Sequence, residues 1–142
     1  MDSRSLRKYV ILLVLIMTPV MMAMGAANGT PGKIPIPAKK FNVLFVDQMD
    51  VGTEVRDASI EGETLIEGKK GEGTFTIAFD KISSVSFLAK EGRLDAVISL
   101  RDGNTLQLTV PKNKKAYGRT PYGTFQISLG DLKKMTVTGT VK

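Results

Sequence analysis

From Phe41 onward, apolar and polar side chains alternate along the chain, and no stretch longer than one turn has helical spacing. Residues Phe75–Phe79 carry large apolar side chains at every second position, and Leu106, Leu108 and Val110 alternate with polar residues in the same way. This spacing puts the apolar side chains on one face of an extended strand. The alternation therefore predicts a single all-β domain over residues 41–142.

Two parts of this β region share a residue pattern. Gly73–Phe87 matches Gly123–Val137 at four identical positions (Gly, Thr, Phe and Ile) and at six apolar positions in the same register. Two shorter matches lie upstream: Asp57–Ile60 with Asp95–Ile98, and Gly62–Leu65 with Gly103–Leu106. The ordered matches predict a duplicated strand unit, with copies at about residues 55–88 and 94–138. In this alignment the second copy carries about nine extra residues around Pro111–Arg119.

Each copy is predicted to contain strands, a tight hairpin and one helical turn. Asp102-Gly103 is a two-residue hairpin signal, and Asp80 and Asp131 suit the start of helical turns because a carboxylate accepts backbone N–H groups there. The shared apolar register indicates one core for both copies, as in a small barrel or a two-sheet sandwich with pseudo-two-fold symmetry. Phe41–Val46, apolar on both faces, is interpreted as a buried first strand outside the duplication.

The N-terminal region has the order of an export signal. Basic residues at 4, 7 and 8 precede the apolar run Tyr9–Met17, and small residues follow up to Ala27. This order predicts a signal peptide over residues 1–27, with a helical apolar part and cleavage near Ala27 or, as a second choice, Gly25. The alternative is an uncleaved membrane anchor, because Val10–Ala27 holds 18 uncharged residues, near the lower limit for a span. Both readings place the remaining chain outside the cytoplasm, in the periplasm or the extracellular space.

Residues 28–40 join this segment to the β domain. They hold three of the six prolines of the chain. Proline blocks helix and supplies no backbone donor for a strand, so an extended tether is predicted here.

Composition excludes several kinds of chemistry. The chain has no Cys and no His, so disulfides, thiolate catalysis and zinc–sulfur sites are excluded, and the commonest general base is missing. The acidic residues lack the spacing of a calcium loop or of a glycosidase pair. We therefore expect no catalytic residues, no metal site and no cofactor, and a hydrolase that uses acidic residues is the least favoured alternative. The net charge of +6 is mild for a nucleic-acid binder, and no nucleic-acid partner is expected.

The most distinctive local feature is a basic loop with interleaved tyrosines. Cations beside aromatic rings can hold a polyanion by charge and by stacking. The alternative is a solvated hairpin tip whose lysines keep the protein soluble. The candidate ligand-binding residues are Lys112, Lys114, Lys115, Tyr117, Arg119 and Tyr122.

One segment resembles a known group of domains. Leu100–Leu106 followed by Arg119–Leu132 is similar to small exported bacterial β domains of unassigned function, with a strand–Asp-Gly–strand and then a basic-Thr-x-x-Gly-x-Phe-x-Ile-x-Leu-x-x-Leu arrangement. The resemblance covers roughly residues 94–137. It implies a β fold and a cell-envelope setting, and it carries no catalytic residues.

Together these features predict a non-enzymatic module of the cell envelope that binds a protein or a glycan, or assists assembly. The alternative is a binder of anionic envelope ligands (lipopolysaccharide, phospholipid headgroups or acidic glycans) through the basic loop. Contact with the membrane is expected only if the signal segment is uncleaved. The sequence leaves open the identity of the partner and the oligomeric state.

Overall fold

A computed structural model describes residues 33–140. Within this range the regular structure consists of ten β-strands and two three-residue 3-10 turns, which confirms the all-β prediction. The predicted signal peptide, its helix and its cleavage site lie outside the described residues. Residues 33–140 contain no helix that is long and apolar enough to cross a membrane. The elements in chain order are β1 Phe41–Asp47, β2 Gly52–Ile60, β3 Leu65–Lys70, β4 Gly73–Ala78, η1 Phe79–Lys81, β5 Ile82–Lys90, β6 Arg93–Leu100, β7 Thr105–Val110, β8 Lys115–Thr120, β9 Gly123–Ser128, η2 Leu129–Asp131 and β10 Leu132–Thr140.

The strands form one antiparallel sheet in the order β4-β3-β7-β6-β5-β10-β1-β2-β8-β9. The sheet is curled into a half-barrel around its apolar face. The sequence left a small barrel and a two-sheet sandwich open, and the structure is of the barrel type, as a half-barrel that does not close. Its two halves are joined into one sheet by the central β5–β10 pair, and within residues 33–140 the end strands β4 and β9 each pair on one side.

The strand pairing contains a structural repeat. Leu65 pairs with Ala78 in β3–β4, and 50 residues later Lys115 pairs with Ser128 in β8–β9. The hairpins β1–β2 and β6–β7 are related by a shift of 53 residues, since every β1–β2 pair has its counterpart in β6–β7; Val43 with Val55, for example, corresponds to Ala96 with Leu108. The repeat therefore comprises β1 to β5 and β6 to β10.

This pairing differs from the alignment made from the sequence. The match of Gly73–Phe87 to Gly123–Val137 is reproduced, but the two upstream matches are not, because β2 corresponds to β7 rather than to β6. Strand β1 lies inside the repeat as the counterpart of β6. Residues 111–114 are not an insertion, since the β7–β8 connection has the same length as the β2–β3 connection at residues 61–64.

The two repeats are interleaved in the sheet. Hairpin β3–β4 of the first repeat pairs with β7 of the second, and β8 of the second repeat pairs with β2 of the first. The cause is the short connections after β2 and β7, which cross between the two halves of the sheet. Each half of the sheet consequently contains strands from both repeats.

A pseudo-two-fold axis passes through the centre of the sheet. Val85 of β5 pairs with Met135 of β10, and these two residues are equivalent in the repeat. Both are fully buried in a single apolar cluster that draws on both repeats, which confirms the expectation of one shared core. Phe41 and Phe79 pack edge to face in this core, with ring centroids 5.6 Å apart.

Two equivalent glycines allow the sheet to curl sharply. A Cβ atom at Gly118 would lie 2.4 Å from Cβ of Val55, and one at Gly68 would lie 2.8 Å from Cβ of Leu108. Any side chain at these positions would therefore push β8 away from β2, or β3 away from β7. The glycines set how closely the crossed hairpins approach their neighbours.

The helical turns and the tether differ in detail from expectation. Each 3-10 turn begins one residue or more before the predicted aspartate, at buried Phe79 and Leu129, and neither turn has a side-chain cap. The described part of the tether, residues 33–40, has no regular secondary structure. Pro37 is buried, and Pro35 lies against Gly62. The tether therefore lies against the domain at Pro35 and Pro37, while most of its other described residues are exposed.

Candidate functional site

The structure brings three of the six predicted ligand-binding residues into one row. Ala116 and Gly118 of β8 point into the core, so the alternate residues Lys115, Tyr117 and Arg119 project from the outer face of the sheet. Tyr122 lies apart from this row, in the β8–β9 turn, and is 99% exposed.

Lys112 and Lys114 lie outside the row, in the crossing connection between β7 and β8. Their backbone carbonyls accept hydrogen bonds from the amides of Gly130 and Leu129, which holds the second 3-10 turn in place. Both residues thus have a structural role through their main chain. The hypothesis that the six residues bind a ligand stays a prediction.

A groove of about 610 Å³ lies between the end of β4 and the β6–β7 hairpin, and is here called the β4 groove. Its apolar lining comes from Ile77, Ala78, Leu100 and Leu106. The charged residues along it are Asp80, Lys81, Arg101 and Asp102. The backbone amide of Asn104 donates to Asp102 Oδ1 over 2.8 Å, and this hydrogen bond lowers the pKa of that exposed carboxyl from its ordinary value.

The equivalent place in the other half of the sheet is polar. Leu100 and Leu106 correspond to Asp47 and Thr53 in the repeat. Ala78 corresponds to Ser128. The backbone plan is the same in both halves. Ile77 is matched by Ile127, so the apolar character of the groove is specific to the half that contains β4 at the other three lining positions.

The outer edge of β4 offers backbone hydrogen-bonding groups beside this groove. The amide of Phe79 donates to the carbonyl of Thr64 over 3.0 Å, which marks Phe79 as a residue that bonds towards β3. In an antiparallel hairpin, alternate residues bond inward and outward. The amides and carbonyls of Thr74, Thr76 and Ala78 therefore point to the free edge, and within the described chain no strand pairs with them.

A second concavity, of about 280 Å³, lies on the outer face where β1, β2, β8 and β10 meet, and is here called the Asn42 depression. Asn42 Oδ1 and Arg119 Nε are both buried and have no hydrogen-bond partner in the structure. The nearest carboxylate to Arg119 is Asp57, at 3.8 Å from Nε to Oδ2, which is too long for a hydrogen bond. Arg56 is the cross-strand partner of Arg119 and lines the same depression.

The backbone is irregular on both walls of the Asn42 depression. Strand pairing shifts between Asn42 and Val43 against β10, and again between Arg56 and Ser59 against β8. Within the second shift Asp57 adopts a left-handed conformation, with φ of 51°. Such bulges redirect side chains and are frequent beside functional sites.

Sequence reasoning found Arg119 but missed the other residues of both concavities. The signal that could have found the β4 groove is the difference between the repeats at Leu100 and Leu106. That difference is visible only when β1–β2 is aligned with β6–β7, whereas the residue pattern in the sequence matched part of β2 to β6. In the described part of the chain, no three Asp or Glu side chains are grouped to hold a metal ion.

Comparison with known proteins shows the family of this chain. No curated protein and no solved structure matches it. A family described as "Uncharacterised protein" matches residues 37–140, which cover the β domain. The chain belongs to this family of uncharacterised proteins.

Proposed function

We propose that this domain is a non-enzymatic protein-binding module of the cell envelope that takes an extended peptide along the free edge of β4. The observation that carries the proposal is the position of an apolar groove beside an unpaired edge strand. An added strand would bond to the backbone of Thr76 and Ala78 and place alternate side chains in the groove, which is a common mode of peptide recognition.

Several features of β4 support this proposal. The strand has no charged residue and no proline, which are the usual means of protecting an edge from pairing. Phe75 is 43% exposed, whereas its counterpart Phe125 stacks on Phe45 with ring centroids 5.9 Å apart. The edge near the groove therefore presents more apolar surface than the equivalent edge at β9.

The lining also indicates which peptides should bind. Burial of one leucine-sized side chain contributes about 1.5–3 kcal/mol, so two apolar residues at alternate positions should contribute about 3–6 kcal/mol before the cost of ordering the peptide, and the complex should be weak. The rim carries both signs of charge, at Asp80, Lys81, Arg101 and Asp102, and should favour peptides of mixed charge over strongly acidic or basic ones.

The test uses peptides selected from a random library against the purified protein, followed by amide hydrogen exchange. Peptide binding should slow exchange at Thr76 and Ala78, whose amides point to the free edge. The test variant is Leu100→Asp/Leu106→Thr. It gives the groove the residues found at the equivalent positions of the other half, Asp47 and Thr53. This variant should fold and should bind the selected peptides at least tenfold more weakly.

Two results would refute peptide binding by strand addition. One is selected peptides that protect the amides of β9 instead of those of β4. The other is equal peptide affinity for the double variant, since an apolar groove cannot then be the binding site.

The envelope location is a separate part of this proposal. It is supported by the order of basic, apolar and small residues up to Ala27. Mass spectrometry of the protein from its native cells should find a mature N-terminus near residue 28. An intact N-terminus in a membrane fraction would favour the anchor, and an intact N-terminus in the cytosol would refute export.

A further inference from the structure

The Asn42 depression contains one unused acceptor and one unused donor. Asn42 Oδ1 needs a donor, and Arg119 Nε needs an acceptor. A buried polar group without a partner costs about 1–3 kcal/mol, so a group that satisfies both atoms would bind favourably. Asp57, 3.8 Å from Arg119 Nε, does not supply the missing hydrogen bond, and neither does Glu54, which lines the depression.

At the equivalent position in the other repeat, the polar side chain has hydrogen-bond partners within the protein. Asn42 corresponds to Asp95, which is 2% exposed although it lies on the outer face of its strand. The Asp95 carboxylate accepts from the Thr109 hydroxyl at 3.2 Å and from the Gln107 amide at 3.4 Å. Arg93 Nε approaches it to 3.4 Å. The position of Asp95 is therefore filled by the chain's own carboxylate, which has its hydrogen-bond donors within the protein.

The Asn42 depression lacks that carboxylate. Residue 42 is a neutral amide, and Arg56 takes the place of Thr109. Arg119 corresponds to Lys69, so a cation is present in both halves. We propose that the Asn42 depression binds a hydroxylated carboxylate of the uronic acid type, whose carboxylate pairs with Arg56 and Arg119 beside Asn42, as the Asp95 carboxylate pairs with Arg93 in the other repeat.

The remaining lining distinguishes this ligand from other anions. Two guanidinium groups, on Arg56 and Arg119, can hold a carboxylate by charge-assisted hydrogen bonds. A sugar hydroxyl can donate to Asn42 Oδ1, and another can donate to Glu54, which also lines the depression. The Glu54 carboxylate disfavours a doubly charged phosphate. The ring of Pro121 supplies an apolar surface for the C–H face of a sugar.

This site is independent of the β4 groove, because the two share no residue. It retains Arg119 from the predicted basic loop and adds residues of β1 and β2. A failure of peptide binding at the β4 groove would not affect the proposed ligand of the Asn42 depression. A failure of ligand binding at the Asn42 depression would not affect the proposed peptide binding.

The test is an NMR titration of the purified protein with galacturonate and with a short oligogalacturonate. Both should shift the amides around Asn42 and Arg119, and the affinity should fall as salt rises, because Arg56 is exposed and the Arg119 side chain is 42% exposed. A tighter complex with the oligomer would indicate a polymeric acidic glycan as the source, and equal affinity would indicate a free sugar acid. The methyl ester of galacturonate should bind at least tenfold more weakly.

The decisive variant is Asn42→Asp, which restores the carboxylate of the other repeat. It should satisfy Arg56 and Arg119 internally, keep or raise stability, and lower galacturonate affinity at least tenfold. The control is Lys90→Gln, which removes an exposed cation outside the depression and should leave the affinity within twofold. Unchanged binding by Asn42→Asp, equal binding of the methyl ester, or no shift with either probe would overturn the proposal.

Discussion

Replacement of Gly118 by alanine tests the close approach of β8 to β2. The new Cβ atom would lie 2.4 Å from Cβ and Cγ2 of Val55, whereas ordinary contacts begin at 3.4 Å. Val55 is 2% exposed and belongs to the core. Its Cβ is attached directly to the backbone, so a rotamer change cannot remove the overlap, and the strands must move apart.

The expected cost follows from this geometry. Overpacking of a core typically costs about 1–3 kcal/mol, and a backbone-anchored overlap belongs at the upper end. Alanine also restricts the unfolded chain, which offsets about 0.4–1 kcal/mol of the cost. The net destabilisation of Gly118→Ala should be about 2 kcal/mol. In a domain of this size, that lowers Tm by roughly 8–16 °C.

The assay is urea unfolding followed by circular dichroism, with two further variants for comparison. Gly68→Ala should cost less than Gly118→Ala, because its Cβ would lie 2.8 Å from Leu108 rather than 2.4 Å from Val55. Gly139→Ala should be neutral or slightly stabilising, since no atom lies within 4 Å of its Cβ. If Gly118→Ala were as stable as Gly139→Ala, the close approach of β8 to β2 would be refuted.

Three further predictions follow from the described residues and the sequence. The pKa of the Asp102 carboxyl, measured by NMR, should lie below the ordinary value for an aspartate, because the hydrogen bond from the Asn104 amide favours the ionised form; the stability that this bond contributes is complete above the unfolded pKa and is lost as pH falls through the lower folded pKa, and a pKa at or above the ordinary value would contradict it. A circular permutant that links Thr140 to Lys33 through a flexible linker and opens the chain at Gly92 should fold with a similar urea midpoint, because it keeps the contacts of Pro35 and Pro37 and the pairing of Phe41 with Thr140; an unfolded permutant would argue against the pairing of β1 with β10. Envelope fractionation should recover the protein outside the cytoplasm, as the order of residues up to Ala27 predicts.

The parts of the repeat that sequence comparison found are those where the residue types are alike. In Gly73–Phe87 and Gly123–Val137 the same glycines and apolar residues recur, because each copy must form the same hairpin, 3-10 turn and central strand. The hairpins β1–β2 and β6–β7 have the same pairing but only general apolar similarity, such as Phe45 in place of Ile98. A core tolerates such exchanges of apolar residues, so little sequence signal remains.

The candidate sites were harder to predict for a different reason. The β4 groove joins Ile77 to Leu106, and the Asn42 depression joins Asn42 to Arg119, in each case from strands far apart in the chain. Their proximity depends on the crossing of the two short connections. Local patterns carry no information about which hairpin lies beside which.

By itself the sequence determined the strand class, one core and the central part of the duplication, because alternation and turn residues act within a few positions. Tertiary structure alone decided that the repeats are interleaved, that β1 lies inside the repeat, and that Arg119 lies beside Arg56 and Asn42. These outcomes depend on pairing between distant strands and on backbone approach at Gly68 and Gly118, where close packing of two hairpins sets the geometry.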